Sequence, residues 1–271
     1  MYQIAGIQMT PVMNNIDENL KRGIKFIDQA CKQESELDLI VFPEMWTTGY
    51  HLSKEAFLKL GENREGKTVT MMQEQADRVN SAIVAPFIEK DEDDKLYISV
   101  ALIDCDGQLH GIVRKSILWG REQNIFNPGK IEYPVFDIKV GKVGILICYE
   151  MEFPEPSRLL ALKGAEFIVC PSIWSLAASR RWDIQLPARS LDNTVFVLGI
   201  NTVGNNSCGK SKLVSPLGDV LIEASDSREE VFVHVIDKEV LMWAREEVPY
   251  LSDFKEKLTP GGINQIPIPI L

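Results

Sequence analysis

Short apolar segments alternate with longer amphipathic segments along most of the chain. The apolar segments are rich in Val and Ile, as is typical of buried strands. The first amphipathic segment, Glu18–Gln33, has a different period. It carries apolar side chains at Leu20, Ile24 and Ile27, the spacing of one helical face, and Asp17 stands where a helix N-cap is expected. This alternation predicts an α/β fold in which helices cover β-sheet.

The same reasoning assigns the other elements. Helices are predicted at Glu18–Gln33, Thr68–Asn80, Phe153–Gly164, Arg181–Asn193 and Lys238–Arg245. Strands are predicted at Ile4–Met9, Leu39–Pro43, Ala82–Ile88, Leu96–Ile103, Gly111–Arg114, Val143–Ile147, Phe167–Cys170, Val195–Ile200 and Glu230–Ile236, with a hairpin at Lys212–Glu223. Neither a linker nor a repeat interrupts the pattern, so a single domain over residues 1–271 is expected, whether it contains one sheet or two. Three prolines predict an extended tail over residues 258–271.

Composition narrows the class of protein. The chain has 271 residues, 45% of them hydrophobic, and a formal net charge of −10, which is ordinary for a globular protein. Because no cluster of Lys and Arg stands out, neither a nucleic acid nor an anionic membrane surface is an expected partner. No apolar run reaches the roughly 18 residues that a membrane span needs.

The cysteines and histidines indicate the compartment and the chemistry. The five cysteines form no CxxC pair, and the N-terminus lacks the pattern of a signal peptide. We therefore expect free thiols and a cytoplasmic location. The three histidines, His51, His110 and His234, are far apart and lack zinc spacing, so no metal is predicted.

Three residues whose side chains could take part in catalysis follow apolar strand segments. Cys148 follows one such strand and precedes a helical pattern, where unpaired backbone N–H groups can activate a thiol. Glu44 ends the segment LIVFPE and is a candidate general base, while Lys115 is a candidate oxyanion stabiliser. The alternatives are a small buried core residue for Cys148 and solvated side chains for the other two. Because ligands gather outside the carboxyl ends of strands in α/β sheets, the three are expected to converge.

Three segments carry a resemblance to a known family. They are FPEMWTTGY at 42–50, RKSILWGREQNIFNPG at 114–129 and GILICYEMEFPE at 144–155. In order and spacing they are similar to the Glu, Lys and Cys motifs of the nitrilase superfamily, the carbon–nitrogen hydrolases. Supporting similarity extends over almost the whole chain, from AGIQMTP at 5–11 to the stretch at 245–249.

The resemblance implies a four-layer αββα sandwich that forms a homodimer or higher homo-oligomer through its helices. It implies Cys148 as nucleophile, Glu44 as general base, Lys115 as oxyanion stabiliser and Glu122 as the residue that holds Lys115 and orients the substrate. The implied reaction cleaves a non-peptide C–N bond of a small amide through a cysteine thioester, without metal or cofactor. N-carbamoyl hydrolysis, nitrile hydrolysis and a non-catalytic binding protein on this fold are the alternatives.

The flanks of these motifs suggest the substrate pocket. Tyr50, Trp119, Tyr149 and Trp174 are predicted to line it, and Met45 is a further candidate; core packing is the competing interpretation for the aromatic side chains. The backbone N–H of Tyr149 is expected to face the oxyanion. Relatives often have arginine where this chain has Glu152, which would repel an anionic substrate if it faced the pocket or would otherwise pair with Arg158 at the surface. Arg180 and Arg181 are candidate carboxylate ligands or a solvated helix start.

Overall fold

The computed structural model describes residues 1–258, in which two six-stranded sheets carry helices on their outer faces. The predicted tail therefore lies outside the described residues except for Leu258. No helix among the described residues is long and apolar enough to cross a membrane. In chain order the strands are β1 (Tyr2–Gln8), β2 (Leu39–Val41), β3 (Ala82–Lys90), β4 (Leu96–Ile103), β5 (Leu109–Arg114), β6 (Val135–Ile138), β7 (Gly141–Ile145), β8 (Phe167–Ser172), β9 (Phe196–Asn201), β10 (Val203–Gly204), β11 (Ser207–Cys208), β12 (Lys212–Val214), β13 (Val220–Glu223) and β14 (Glu230–Ile236).

Within residues 1–258, five α-helices and several shorter turns lie between these strands, and two further α-helices follow β14. The helices are α1 (Ile16–Gln33), α2 (Lys54–Leu60), α3 (Lys67–Val79), α4 (Pro154–Leu162), α5 (Ser179–Asn193), α6 (Lys238–Glu247) and α7 (Tyr250–Asp253). Three 3₁₀ turns span Gly120–Asn124, Cys148–Glu152 and Leu176–Ala178, and a π turn spans Phe254–Leu258.

The two sheets have the same internal plan. The first has the order β14-β1-β2-β3-β4-β5, and the second has the order β13-β12-β9-β8-β7-β6. In each sheet three central strands are parallel and the flanking strands are antiparallel to their neighbours. Within each sheet the parallel strands end at the same edge. The edge after β2 adjoins the edge after β7 and β8 of the other sheet, because the carboxylate of Glu44 accepts a hydrogen bond from the N–H of Ile173. Strand β4 is antiparallel to both β3 and β5. Strand β5 therefore runs parallel to β3 and ends at the same edge of the first sheet.

Apolar side chains join the four layers. Val41 and Val84 of the first sheet share one buried core with Ile145 and Leu198 of the second. The side chains on the opposite face of the first sheet pack against α1 and α3 in a separate core. On the far side, Leu186 of α5 lies against the backbone of β9. This is the helix–sheet–sheet–helix order expected from the resemblance, and the predicted αββα sandwich is confirmed.

The element boundaries differ from the predicted ones where local signals are weak. Helix α1 begins at Ile16 because the side chain of Asn15, rather than Asp17, accepts a hydrogen bond from the Glu18 N–H. Helix α2 and strand β6 were not predicted, since each is too short to show a clear period. The predicted strand 143–147 ends at Ile145, and its last two residues lead into the turn at Cys148.

Gly6 lies where the two sheets come closest. A Cβ atom added at Gly6 would lie 2.4 Å from Cζ of Phe232 in β14 and 2.6 Å from Cδ1 of Ile200 in β9. We expect Gly6→Ala to lower the free energy of unfolding by about 1–3 kcal/mol, because the core must expand to admit one methyl group. Chemical denaturation measures this loss. The loss should shrink in a Phe232→Leu background, and an unchanged loss there would contradict the steric explanation.

Candidate active site

Glu44, Lys115 and Glu122 form a buried ionic cluster at the common sheet edge. The Lys115 Nζ donates to Glu44 Oε1 at 2.8 Å and lies 3.0 Å from Glu122 Oε1 and 2.9 Å from Oε2. Neither Glu44 nor Lys115 has any solvent exposure, and Glu122 has almost none. Burying charged groups is costly unless they are paired and hydrogen-bonded, so this cluster has one well-defined arrangement.

Backbone groups fix the remaining oxygens of both carboxylates. Glu44 Oε2 accepts from the N–H of Ile173, 3.0 Å away, just beyond the end of β8. Glu122 Oε2 accepts from the N–H of Trp119 at 2.8 Å. Each carboxylate thus ties the ammonium of Lys115 to the backbone of a loop that also borders a cavity.

The charges within the cluster determine its protonation. Burial alone would lower the pKa of Lys115, but the negative charges of Glu44 and Glu122 outweigh it and hold that pKa well above its ordinary value. Burial raises the pKa of the Glu122 carboxyl, an effect that the Lys115 ammonium opposes. Lys115 therefore remains a fixed cation across the neutral range.

Cys148 occupies the turn that follows β7. Its φ angle of +51° is unusual for a residue with a side chain, and it is the first residue of the turn Cys148–Glu152. The side chain is 9% exposed and faces a cavity. Burial, reinforced by the charge of Glu44, raises the pKa of the thiol well above its usual value, while Lys115 acts in the opposite direction. The resting group is therefore a thiol within the electrostatic reach of both charged residues.

The cavity beside Cys148 has a volume of about 120 Å³. Of the predicted pocket residues, Tyr50, Trp119, Tyr149 and Trp174 all line it. The prediction for Met45 was wrong: its side chain is buried in the core between the sheets. The other lining residues are His51, Cys148, Glu152, Ile173, Ser175, Ala178, Arg181, Asn205, Asn206 and Ser207.

The aromatic lining residues differ in how firmly they are held. Trp174 is almost fully buried, packs on Trp182 with ring centroids 5.2 Å apart, and donates from Nε1 to the Ala178 carbonyl. It is thus both a core residue and a wall of the cavity. Trp119 is 51% exposed and rests on Tyr149 at 4.7 Å. One wall is therefore rigid and the opposite rim is open to solvent.

Glu152 faces the cavity and not the surface. Its carboxylate pairs with Arg181, with Nε to Oε2 at 3.0 Å and Nη2 to Oε1 at 3.2 Å. The alternative pairing with Arg158 was wrong, because the guanidinium of Arg158 donates to the Asp192 carbonyl on α5. Arg181 does bind a carboxylate, but it is one of the protein's own.

Glu150 is a site residue that sequence reasoning missed. It is fully buried, and its carboxylate accepts from the N–H and Oγ of Ser116, at 2.8 and 2.5 Å, and from the N–H of Ile147 at 2.8 Å. It therefore links the residue after Lys115 to the residue before Cys148. An acid two positions after the cysteine, directly after the apolar run at 144–149, was the available signal.

A few other lining groups also lay outside the sequence predictions. The Ile173 N–H has no signal in its side-chain type, and Asn205 and Asn206 form the tip of the β10–β11 hairpin, which is too short to predict. Within residues 1–258, no group of three or more His, Cys, Asp or Glu side chains is placed to hold a metal ion.

An αββα sandwich that places a glutamate, a lysine and a cysteine at the adjoining edges of its two sheets is the arrangement of the nitrilase superfamily. The chain belongs to the carbon–nitrogen hydrolase family, whose profile matches residues 3–245, and it is an enzyme of that class. A nitrilase of Pyrococcus abyssi is 37% identical over 243 residues, covering 88% of this chain and 90% of the relative. The 2-oxoglutaramate amidase of Bacillus subtilis is 30% identical over 263 residues, covering 95% and 99%.

Solved structures also resemble this chain over most of its length. The crystal structure of Saccharomyces cerevisiae Nit3, a member of branch 10 of the nitrilase superfamily, matches with a TM-score of 0.86 at 29% identity. The match covers 92% of this chain and 94% of that chain. A carbon–nitrogen hydrolase from Helicobacter pylori shares the fold, with a TM-score of 0.87 at 24% identity.

The buried ammonium should control stability in a pH-dependent way. In Lys115→Met, two buried carboxylates lose their cation, and we expect the free energy of unfolding to fall by about 3–5 kcal/mol. Without the ammonium, which opposes the effect of burial, the pKa of the Glu122 carboxyl rises further, so the folded variant holds a proton that the unfolded chain releases. The loss should therefore be larger near about pH 8 than near about pH 5. Denaturation at both pH values measures it. The exposed Lys25→Met is the control, and an equal loss at both pH values would contradict the electrostatic cause.

Proposed function

We propose that the protein hydrolyses the C–N bond of a small amide, releasing a carboxylic acid and ammonia through a thioester on Cys148. One observation carries the proposal: a lysine ammonium is fixed between Glu44 and Glu122, out of solvent, and Cys148, which lines a cavity, lies within the electrostatic influence of these residues. A base, an electrophilic cation and a nucleophile are thereby available to a single bound carbonyl group.

The reaction begins with proton transfer. The raised pKa of Cys148 means that the sulfur holds its proton at rest. Glu44 accepts this proton as the sulfur attacks the amide carbon, so an S–C bond forms while the carbonyl π electrons move onto oxygen. The hydrogen bond from Ile173 N–H to Glu44 Oε2 fixes the carboxylate during this step.

The negative charge on the oxygen then needs a preorganised partner. The ammonium of Lys115 supplies one, since its raised pKa keeps it charged. The N–H of Tyr149, in the first turn after the nucleophile, supplies the second donor. Loss of a single oxyanion donor costs about 10²–10³ in rate in characterised hydrolases.

The intermediate collapses when Glu44 returns the proton to the nitrogen. The C–N bond breaks, ammonia leaves and a thioester remains on Cys148. Glu44 then takes a proton from water, whose oxygen attacks the thioester carbon. The S–C bond breaks to release the acid, and Glu44 returns its proton to the sulfur to regenerate the thiol. These steps are complete with water and the groups of this chain, without a metal or cofactor.

The relatives support an amide as the substrate class. One is named for an amidase activity and one is named a nitrilase. Ammonia release should be measured on a panel of simple amides, ω-amides, N-carbamoyl compounds and matched nitriles. Turnover of nitriles in preference to the matched amides would replace the proposed activity by that of a nitrilase.

Variants of the nucleophile and base test the mechanism. We expect Cys148→Ala to lower turnover below about one thousandth of wild type, while Cys31→Ala, at a half-buried cysteine on α1, keeps the wild-type rate. Mass spectrometry should find a trapped acyl group on Cys148.

We expect Glu44→Gln to lose about 10²–10⁴ in turnover. Full turnover in Cys148→Ala would refute the nucleophile, and full turnover in Glu44→Gln would refute the base assignment.

The proposal includes a cytoplasmic homodimer formed through the helices of the second sheet. Ile184 of α5 and Met242 and Trp243 of α6 are large apolar side chains that the single chain leaves more than half exposed. Such exposed apolar side chains favour a protein partner. Light scattering after gel filtration should give about twice the 30.6 kDa of one chain, and a single-chain mass would contradict the dimer.

A further inference from the structure

The wall of the cavity contains one ion pair, and its geometry bears on the substrate. Glu152 ends the turn that Cys148 begins, and Arg181 lies in the first turn of α5. The Nε–Nη2 edge of the guanidinium faces the two carboxylate oxygens at 3.0 and 3.2 Å. The Glu152 side chain is 17% exposed and that of Arg181 is 49% exposed, so the acid is the more deeply placed of the two.

This pairing removes the attraction that an arginine would otherwise exert on an anion. Arg181 uses one complete edge on Glu152, so a substrate carboxylate that reached the guanidinium would lie within a few ångströms of another carboxylate. Attraction to the cation and repulsion by the acid then nearly cancel. The anion would still lose its hydration on entering the cavity, and nothing repays that cost.

The other residues in and around the cavity do not restore an attraction for an anionic substrate. Among the described residues that line the cavity, Glu152 is the only acid and Arg181 is the only permanent cation. The polar lining groups besides them are uncharged amides, hydroxyls and the imidazole of His51, and the wall is otherwise aromatic or aliphatic. The adjacent cluster of Glu44, Lys115 and Glu122 has a formal charge of −1, and the whole chain has −10. Both disfavour the approach of an anion.

We propose that Glu152 is a specificity-determining residue that restricts the pocket to uncharged amides and excludes dicarboxylic monoamides. This inference rests on the proposed amide hydrolysis at Cys148 and adds the substrate class to it. It separates this chain from the Bacillus subtilis relative, which is named for 2-oxoglutaramate, a monoamide that retains a carboxylate.

The test compares two substrates that differ in charge but hardly in shape. Succinamate carries a carboxylate, and 4-oxopentanamide has a methyl ketone in its place with the same number of non-hydrogen atoms. We expect wild-type kcat/KM to favour 4-oxopentanamide by at least about tenfold. Glu152→Gln should reduce this preference by at least about tenfold, because Arg181 then becomes available to the carboxylate of succinamate. Glu155→Gln, an exposed acid on α4, is the matched control and should leave the ratio within about twofold of wild type.

Two results would overturn the inference: a wild-type enzyme that hydrolyses succinamate as efficiently as 4-oxopentanamide, or a Glu152→Gln variant with an unchanged ratio. If neither amide is hydrolysed, the proposed function fails for these amides, and charge selectivity is then read from binding. The two compounds are compared as protectants of Cys148 against iodoacetamide. Protection by 4-oxopentanamide at about tenfold lower concentration supports the inference, and equal protection overturns it.

Discussion

The structure of the site depends on the burial of one ammonium group between two carboxylates. Lys115 has no access to water, so its charge is tolerable only where Glu44 and Glu122 both contact it. Glu44 follows β2, whereas Lys115 and Glu122 both follow β5, so their contacts hold these two segments of the chain together. The same contacts keep the lysine charged. A group whose electrostatic role needs a fixed position and a fixed charge thus obtains both from one set of interactions.

The fold makes this convergence possible because the parallel strands of each sheet end at one edge and these edges of the two sheets adjoin. The connections after β2, β5 and β7 carry Glu44, Lys115 and Cys148, and the first residue after β8 supplies the Ile173 N–H. Glu150 strengthens the arrangement by joining the backbone next to Lys115 to the backbone before Cys148. Because that carboxylate satisfies three buried donors at once, the turns cannot separate without leaving polar groups unpaired.

The buried ionic cluster and the Glu152–Arg181 pair have different surroundings. The cluster is closed to solvent, whereas the pair lies on a cavity wall that is partly open. Aromatic side chains line the same cavity, with Trp174 anchored in the core and Trp119 half-exposed. A change in the wall can therefore alter which substrate enters while the buried cluster keeps its arrangement.

The sequence by itself determined most element types and the strand-end positions of Glu44, Lys115 and Cys148, because hydrophobic period is a local property of the chain. The αββα class followed from the resemblance of its motifs to a known family. The sequence also indicated four aromatic residues that do line the cavity. Only the tertiary structure decided that Met45 is a core residue, that Glu150 bridges two turns and that Glu152 pairs with Arg181 rather than with Arg158. A local pattern shows which face of an element is buried. The segment that meets this face depends on how distant elements pack, and no local period encodes that.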